Sequence, residues 1–417
     1  MSSWALGARR ARIDWITGLL VWSTLTISVQ GYWATGLFQA GLLILTLSMV
    51  LMARPTQPRP ALDLPSSLVA APLLCGLLQL AAGTSQYAHA TRIATLQWAA
   101  LFCLALLIRN ALRVPELLHR FLAIFLGTAV ALALYVLLQP YMGEYHLGGL
   151  LPVRTEDMAG PFQNRNTYAS FVELAVPVAG WQAFRHRRNS WIYWTAIGVM
   201  FASVVSSASR AGSILVASEM AALMGIAWWK RVAHGRTILI AMAQMTALAA
   251  GWVLLAGWET LWTRLQFSDP FVFRRDIFAS AIEMIRARPW NGFGLGTFSY
   301  TYPQFARFDA GKLVNFAHND WLQWGAEGGL PLLGAIAILA VWCIRPACRN
   351  LWGLGVLFVF LHALVDYPMQ RAGLAGWVVA LVAALGAAES AGSASHSQQA
   401  EPSILHAPRL QEVAAVQ

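Results

Sequence analysis

The sequence predicts an all-α, polytopic membrane bundle, and three observations carry that prediction. Of the 417 residues, 58% are hydrophobic and only 12% are charged. A soluble domain is nearer 25% charged. Mean hydropathy is +0.54. Apolar runs of the length a bilayer requires, about 20 residues, recur along nearly the whole chain. These features exclude a soluble enzyme held by one anchor.

Twelve runs read as spans: 14–31, 34–52, 66–83, 92–109, 119–138, 167–184, 191–208, 211–229, 237–257, 329–344, 351–365 and 373–388. The first begins "ARRARIDWITGLLVWSTLTISV". Its basic start and apolar run mimic a signal peptide, but no small-x-small cleavage site follows, so an uncleaved helix is expected. With the N-terminus inside, the inner loops hold Arg54 and Arg59, then Arg109, Arg113 and Arg120. Arg185, Arg187 and Arg188 follow, then Lys230, Arg231 and Arg236, then Arg345 and Arg349. This alternation favours an even count with both ends cytoplasmic. Ten or eleven spans stays open, because 329–344 and 351–365 are short. The net charge of +10 lies in these short clusters, which does not indicate nucleic-acid binding. Cys75, Cys103, Cys343 and Cys348 form no CxxC pair, so neither a disulfide framework nor a zinc site is indicated. The tail 389–417, rich in Ala, Ser and Gln, is expected to be a disordered cytoplasmic segment.

Two outer loops are long, about 139–166 and 258–318. Both carry cations against the positive-inside bias: Arg154 and Arg165 in the first; Arg264, Arg274, Arg275, Arg286, Arg288, Arg307 and Lys312 in the second. Two readings stand. Long loops escape the bias, or an anionic ligand is held there. Within the second loop, Ile277, Phe278, Ala281, Ile282 and Ile285 recur at helical spacing, and Pro289 and Gly292 end the pattern. The spacing predicts a helix lying along the outer interface.

The chemistry-bearing residues cluster near these loops. "GPFQNRNTYASFVEL" places Asn164, Arg165 and Asn166 where the sixth span starts. Asn166 or Thr167 is expected to cap that helix, and Arg165 with the first-turn amides suits an anion. In "SSASRAG", Arg210 stands between two apolar runs with almost no loop. It is a functional arginine, a snorkelling one, or a partner of Glu173 or Glu219. The run Gly292, Gly294, Gly296 imitates a dinucleotide fingerprint, but Thr297 stands where the third glycine belongs. A tight loop is expected instead. "AHND" opens the helix leading into the tenth span. Histidine is the side chain best suited to act as a base near neutral pH, and Asn319 or Asp320 can cap the helix. Asp366 is either a helix-end acid or a partner for an outer arginine.

The stretches "GPFQNRNTYASFVEL", "SSASRAG", "RRDIFASAIEMIRARPWNGFGLGTF", "AHNDWLQWGAEGGLPLLG" and "HALVDYP" occur in that order from about residue 160 to 368. In them the chain resembles the O-antigen ligase and polymerase family of bacterial polytopic glycosyltransferases. The first 150 residues match only as apolar spans. The resemblance implies a C-type membrane glycosyltransferase architecture, with N-terminal helices over 1–150 and a ligase-related catalytic region over 151–388. It implies a donor glycan on polyprenyl (usually undecaprenyl) diphosphate, used on the periplasmic face of the bacterial inner membrane. The acceptor would be a sugar of the lipid A core in a ligase, or another lipid-linked repeat in a polymerase.

Carried over residue by residue, Arg210 takes the place of the family's SxSR arginine. Arg274 heads the interfacial helix, with Phe278 where a tryptophan is common. His318 and Asn319 match the loop-end HN pair. The resemblance thus casts His318, Arg210 and Arg274 as catalytic. Arg165, Arg275, Asn164, Asn166, Asn319, Asp320 and Asp366 would contact substrate. Arginines suit diphosphate recognition and would stabilise the leaving group without a metal or cofactor. The outer acids Asp269, Asp276 and Asp309 are dispersed rather than gathered as DxD. His318 would take the acceptor proton in one inverting displacement, or else orient the acceptor or bind phosphate. A transporter of a lipid-linked anion is the competing class, and it calls for charges deep in the spans.

Overall fold

A computed structural model describes residues 3–29, 32–52, 62–141, 159–256, 272–307, 311 and 313–400. Arg54, Arg59, Arg154, Arg264, Asp269, Asp309 and Lys312 lie outside the described residues. Among the described residues the regular structure is helical: α1 (Ser3–Leu25), α2 (Tyr32–Leu51), α3 (Leu64–Val69), α4 (Ala71–Ala81), α5 (Ala88–Ala111) and α6 (Pro115–Leu138). Then come α7 (Arg165–Arg185), α8 (Ser190–Ser206), α9 (Arg210–Trp229), α10 (Gly235–Ala256) and α11 (Val272–Ala287). The last four are α12 (Phe298–Thr301), α13 (Asp320–Arg349), α14 (Leu354–His362) and α15 (Ala372–Ala400).

Each of the twelve apolar runs falls at least in part on a helix, but among the described residues eight stretches are long and apolar enough to cross a membrane by length and composition. α1, α7, α8 and α14 are not among them. The departures have local causes. Proline at the first turns of α3 and α4 splits the third run at Ala70. α14 keeps only nine helical residues. α15 continues to Ala400, past Glu389.

The span in α15 is the central post, with 83% of its residues buried, whereas the span in α10 is peripheral at 17%. Trp377 of α15 packs against Phe125 at 4.4 Å and donates to the Thr24 hydroxyl at 2.8 Å. Ion pairs and hydrogen bonds fix the helix ends away from His318. Arg109 pairs with Asp63 and reaches Ser390, Arg349 pairs with Glu389, and Lys230 donates to the Cys348 carbonyl. Arg109, Lys230 and Arg349 of the expected inner loops thus sit at one end of the bundle.

α11 packs on the start of α13. Its buried stripe is Ile277, Ala281 and Met284, while Ile282 is 39% exposed. The expected face is therefore turned by about one residue. α13 breaks at Gly329, where φ is 73° and ψ is −177°. A β-carbon there would stand 2.6 Å from the Trp290 carbonyl oxygen and 2.7 Å from that of Pro289. The kink lets Leu330 donate its N–H to Pro289 at 2.7 Å, which docks the end of α11 against α13. Gly329→Ala is expected to lower stability by about 1–3 kcal/mol, read as a fall in melting temperature of the detergent-solubilised protein. An unchanged melting point contradicts this account of the kink.

Candidate active site at three helix starts

Three helices begin at the end of the bundle that holds His318, and each start is capped. Asn164 is extended and accepts from the Asn166 N–H at 2.8 Å, so α7 begins at Arg165. Ser209 accepts from the Gly212 N–H at 3.2 Å and starts α9 at Arg210. Asn319 accepts from the Leu322 N–H at 3.0 Å and starts α13. Each cap satisfies a donor that the helix cannot. The cap of α7 is Asn164, not Asn166 or Thr167. Asn166 instead accepts from the Ser209 hydroxyl at 2.7 Å, which fastens the start of α7 to that of α9. The Asn164 amide donates to the Tyr367 hydroxyl at 3.3 Å.

The segment 363–370 is pinned beneath them. Asp320 is fully buried. Its carboxylate accepts from the Met369 N–H and from the Gln370 amide, both at 2.8 Å. Its own N–H donates to the Ala363 carbonyl at 2.9 Å. Asn319 donates to the Leu364 carbonyl at 2.8 Å, and Arg274 of α11 to that of Val365 at 2.7 Å. Asn319 and Asp320, expected at the substrate, thus have their side chains engaged by the protein. They build the floor of the site. Arg274, rather than pairing directly with Asp366, grips the backbone beside it.

His318 stands on this floor with φ of 53°, a left-handed conformation that is uncommon without glycine. Ala208, just before the cap of α9, shares it at 56°. Backbone strain of this kind gathers at functional sites. The imidazole meets the Tyr367 ring edge-on at 4.9 Å. Its Nδ1 lies 3.9 Å from Asp366 Oδ1, too far for a hydrogen bond. Among the described residues, Nδ1 is buried without a hydrogen-bond partner, and the buried Asp366 carboxylate makes no hydrogen bond of ordinary geometry, although the Asn166 side chain and the Tyr367 N–H act on it. Burial, and then the Arg274 charge, push the imidazole from its ordinary 6.5 down to about 4. Burial raises the Asp366 carboxyl, against the pull of His362 and Arg274. At neutral pH the histidine is therefore an uncharged proton acceptor.

The cations complete the arrangement. Arg165 and Arg210 are the first residues of α7 and α9. A positive side chain at a helix N-terminus opposes the helix dipole, and an anion there relieves it. Arg274 is half-buried, while its neighbour Arg275 is exposed. The Ser209–Asn166 and Asn164–Tyr367 bonds bring the starts of α7 and α9 to the His318 floor. The arrangement suits a polyanion held beside a neutral base.

Other features escaped the sequence reasoning. The glycine loop after α11 is threaded between α4, α5 and α13. Glu327 accepts from the Gly296 N–H at 2.8 Å and the Phe298 N–H at 3.2 Å. Gln79 accepts from the Leu295 N–H at 3.0 Å and donates to the Asn291 carbonyl at 2.7 Å. Arg371 lies over the Phe316 and Tyr367 rings. Inside the bundle, His362 Nδ1 bonds Glu173 at 2.7 Å, both fully buried, and Glu219 is buried with neither carboxyl oxygen hydrogen-bonded. An acid four residues from an apolar turn, or a lone glutamine in a span, gives no local sign of such partners.

The histidine supplies a pH test. The folded site disfavours its charged form, so the unfolded chain takes up the proton first. His318 then contributes stability that is present above pH 6.5 and lost as pH falls towards 4. In histidine-labelled protein, one imidazole resonance, absent in His318→Gln, should titrate near 4, and inorganic pyrophosphate should move it upward. A midpoint near 6.5 contradicts the described burial.

No curated protein matches the chain. The O-antigen ligase family model matches residues 195–339. That segment runs from within α8 into α13 and holds Arg210, Arg274, Arg275, His318, Asn319 and Asp320. It leaves out Asn164, Arg165, Asn166 and Asp366. The segment that holds Arg210, Arg274 and His318 is thus similar to the O-antigen ligase family.

Proposed function

We propose that the protein is a membrane glycosyltransferase of O-antigen ligase type. It moves a glycan from a polyprenyl-diphosphate carrier to an acceptor hydroxyl. The observation that carries this reading is the uncharged His318 beside Arg274, at the end of the bundle where Arg165 and Arg210 open two helices. The family match over residues 195–339 supports it. The site is assigned to the periplasmic side of the bacterial inner membrane, because the basic clusters lie at the opposite end of the bundle. The donor's tail dissolves in the bilayer, and its diphosphate meets the arginines at the interface.

The chemistry follows from the residues. Arg210 and Arg274 hold the diphosphate and stabilise the charge that builds on it as the glycosidic bond breaks. The acceptor oxygen attacks the anomeric carbon from the opposite face, so the configuration inverts. A histidine titrating near 4 is a weak base. It suffices, because the acceptor hydroxyl becomes strongly acidic once its oxygen has bonded to carbon. The bound diphosphate also offsets the Arg274 charge and strengthens the base. Arginines fill the charge-neutralising role that a metal has in other transferases. A polymerase joining lipid-linked repeats would use the same site.

A second reading, translocation of a lipid-linked anion, draws on one observation. Glu173, His362 and Glu219 are buried inside the helices, where transporters place coupling groups.

In the native host, His318→Ala should leave full-length glycan on the polyprenyl carrier and deplete it from the surface. Single repeats on the carrier would mark a polymerase. Arg274→Ala and Arg210→Ala should each lower transfer by about 100-fold or more. Normal surface glycan with a normal carrier pool in His318→Ala removes the histidine from catalysis.

A further inference from the structure

Next to the arginine–histidine site is a cavity of about 860 Å³, within the roughly 300–1,000 Å³ of small-molecule sites. One wall comes from α1, α2 and α5, the other from the segments around Tyr300, Phe316 and Arg371. Its character differs from that of the helix starts. Gln39, Gln97 and Gln370 line it with amides, and Trp98 and Tyr300 add aromatic surface. The carboxylate in its lining, Glu327, has its oxygens engaged by backbone N–H groups. Arg371 is held over Phe316 at 5.3 Å and Tyr367 at 5.6 Å. The cavity is close to charge-neutral.

The cavity reaches within one aromatic layer of His318. Phe316, in its lining, stacks on Tyr367 at 4.5 Å, and Tyr367 meets His318 at 4.9 Å. Gln97 accepts from Gln39 at 2.7 Å, while its own amide nitrogen is buried without a partner. A buried donor left unpaired is costly.

We propose that this cavity binds the acceptor glycan, a neutral saccharide rich in hydroxyls. The assignment rests on the transferase reading. Sugar hydroxyls satisfy amides such as that of Gln97, and the C–H faces of a sugar pack on aromatic rings. A lipid tail would leave the Gln97 amide nitrogen without a partner. The cavity lies on the α1–α2–α5 side of the Tyr367 layer, and Gln163, the residue before the cap of α7, joins its lining. These three helices also fall outside the family match at 195–339. Recognition of the acceptor sugar is therefore shared between these helices and the matched segment, which supplies Tyr300 and Phe316.

The test uses the full chain in proteoliposomes, with the host's polyprenyl-diphosphate glycan as donor and its surface glycolipid fraction as acceptor. Gln97→Leu and Tyr300→Ala should each raise the acceptor concentration for half-maximal rate by about tenfold. Maximal rate and donor dependence should stay unchanged. Unaltered acceptor dependence in both variants, or a shift in donor dependence instead, overturns the assignment. A photoreactive residue at Thr35, which lines the cavity, should capture saccharide of the acceptor. Capture of phospholipid or polyprenyl chain alone, or of nothing, overturns it too. If the unaltered chain transfers nothing, the transferase reading fails and takes this assignment with it. Transfer with unchanged acceptor dependence removes the assignment alone.

Discussion

The site depends on one buried carboxylate. Asp320 is sealed from solvent, where an unpaired charge or acid would be costly. It is tolerable because Met369 and Gln370 both donate to it. Those two bonds tie the first residue of α13 to a segment some fifty positions later in the chain. With Asn319 and Arg274 holding the carbonyls of Leu364 and Val365, the segment has little freedom. Asp366 and Tyr367 then have one place to be, and His318 is fixed between them. The left-handed backbone at His318 is sustained by this clamp, since nothing local favours it.

Around that floor the charges are arranged against the comfort of the helices. Two helix starts carry arginine where the dipole asks for an acid. The third start lies beside a histidine that burial, and then a nearby arginine, keep uncharged. On the proposed reading, a bound diphosphate would meet these charges together, and the site would be preorganised for an anion, the condition under which electrostatic stabilisation of a leaving group needs little rearrangement.

Much of this was legible in the sequence, for physical reasons. Helix starts follow from local chemistry, so "AHND" and "SSASRAG" announced two of the three. The choice of Asn164 over Asn166 as cap was not legible, because either amide fits the position. Only the Ser209 hydroxyl, 43 residues away, decides it. The roles of Glu327 and Gln79 are set by partners across 31 and more than 200 residues. No periodicity encodes such pairings. The span count exceeded the stretches that length and composition support, because α8 and α14 are short while α1 and α7 are long but too polar.

The central claim is that this arginine–histidine site breaks a glycan–diphosphate bond rather than moving the donor intact. The most direct measurement follows donor, released carrier and product together, in proteoliposomes holding the purified chain and the host's own donor and acceptor. The account predicts free polyprenyl diphosphate only when acceptor is present, and a new glycosidic bond inverted relative to the donor. An intact donor moved to the opposite leaflet, or carrier release that ignores the acceptor, would contradict it.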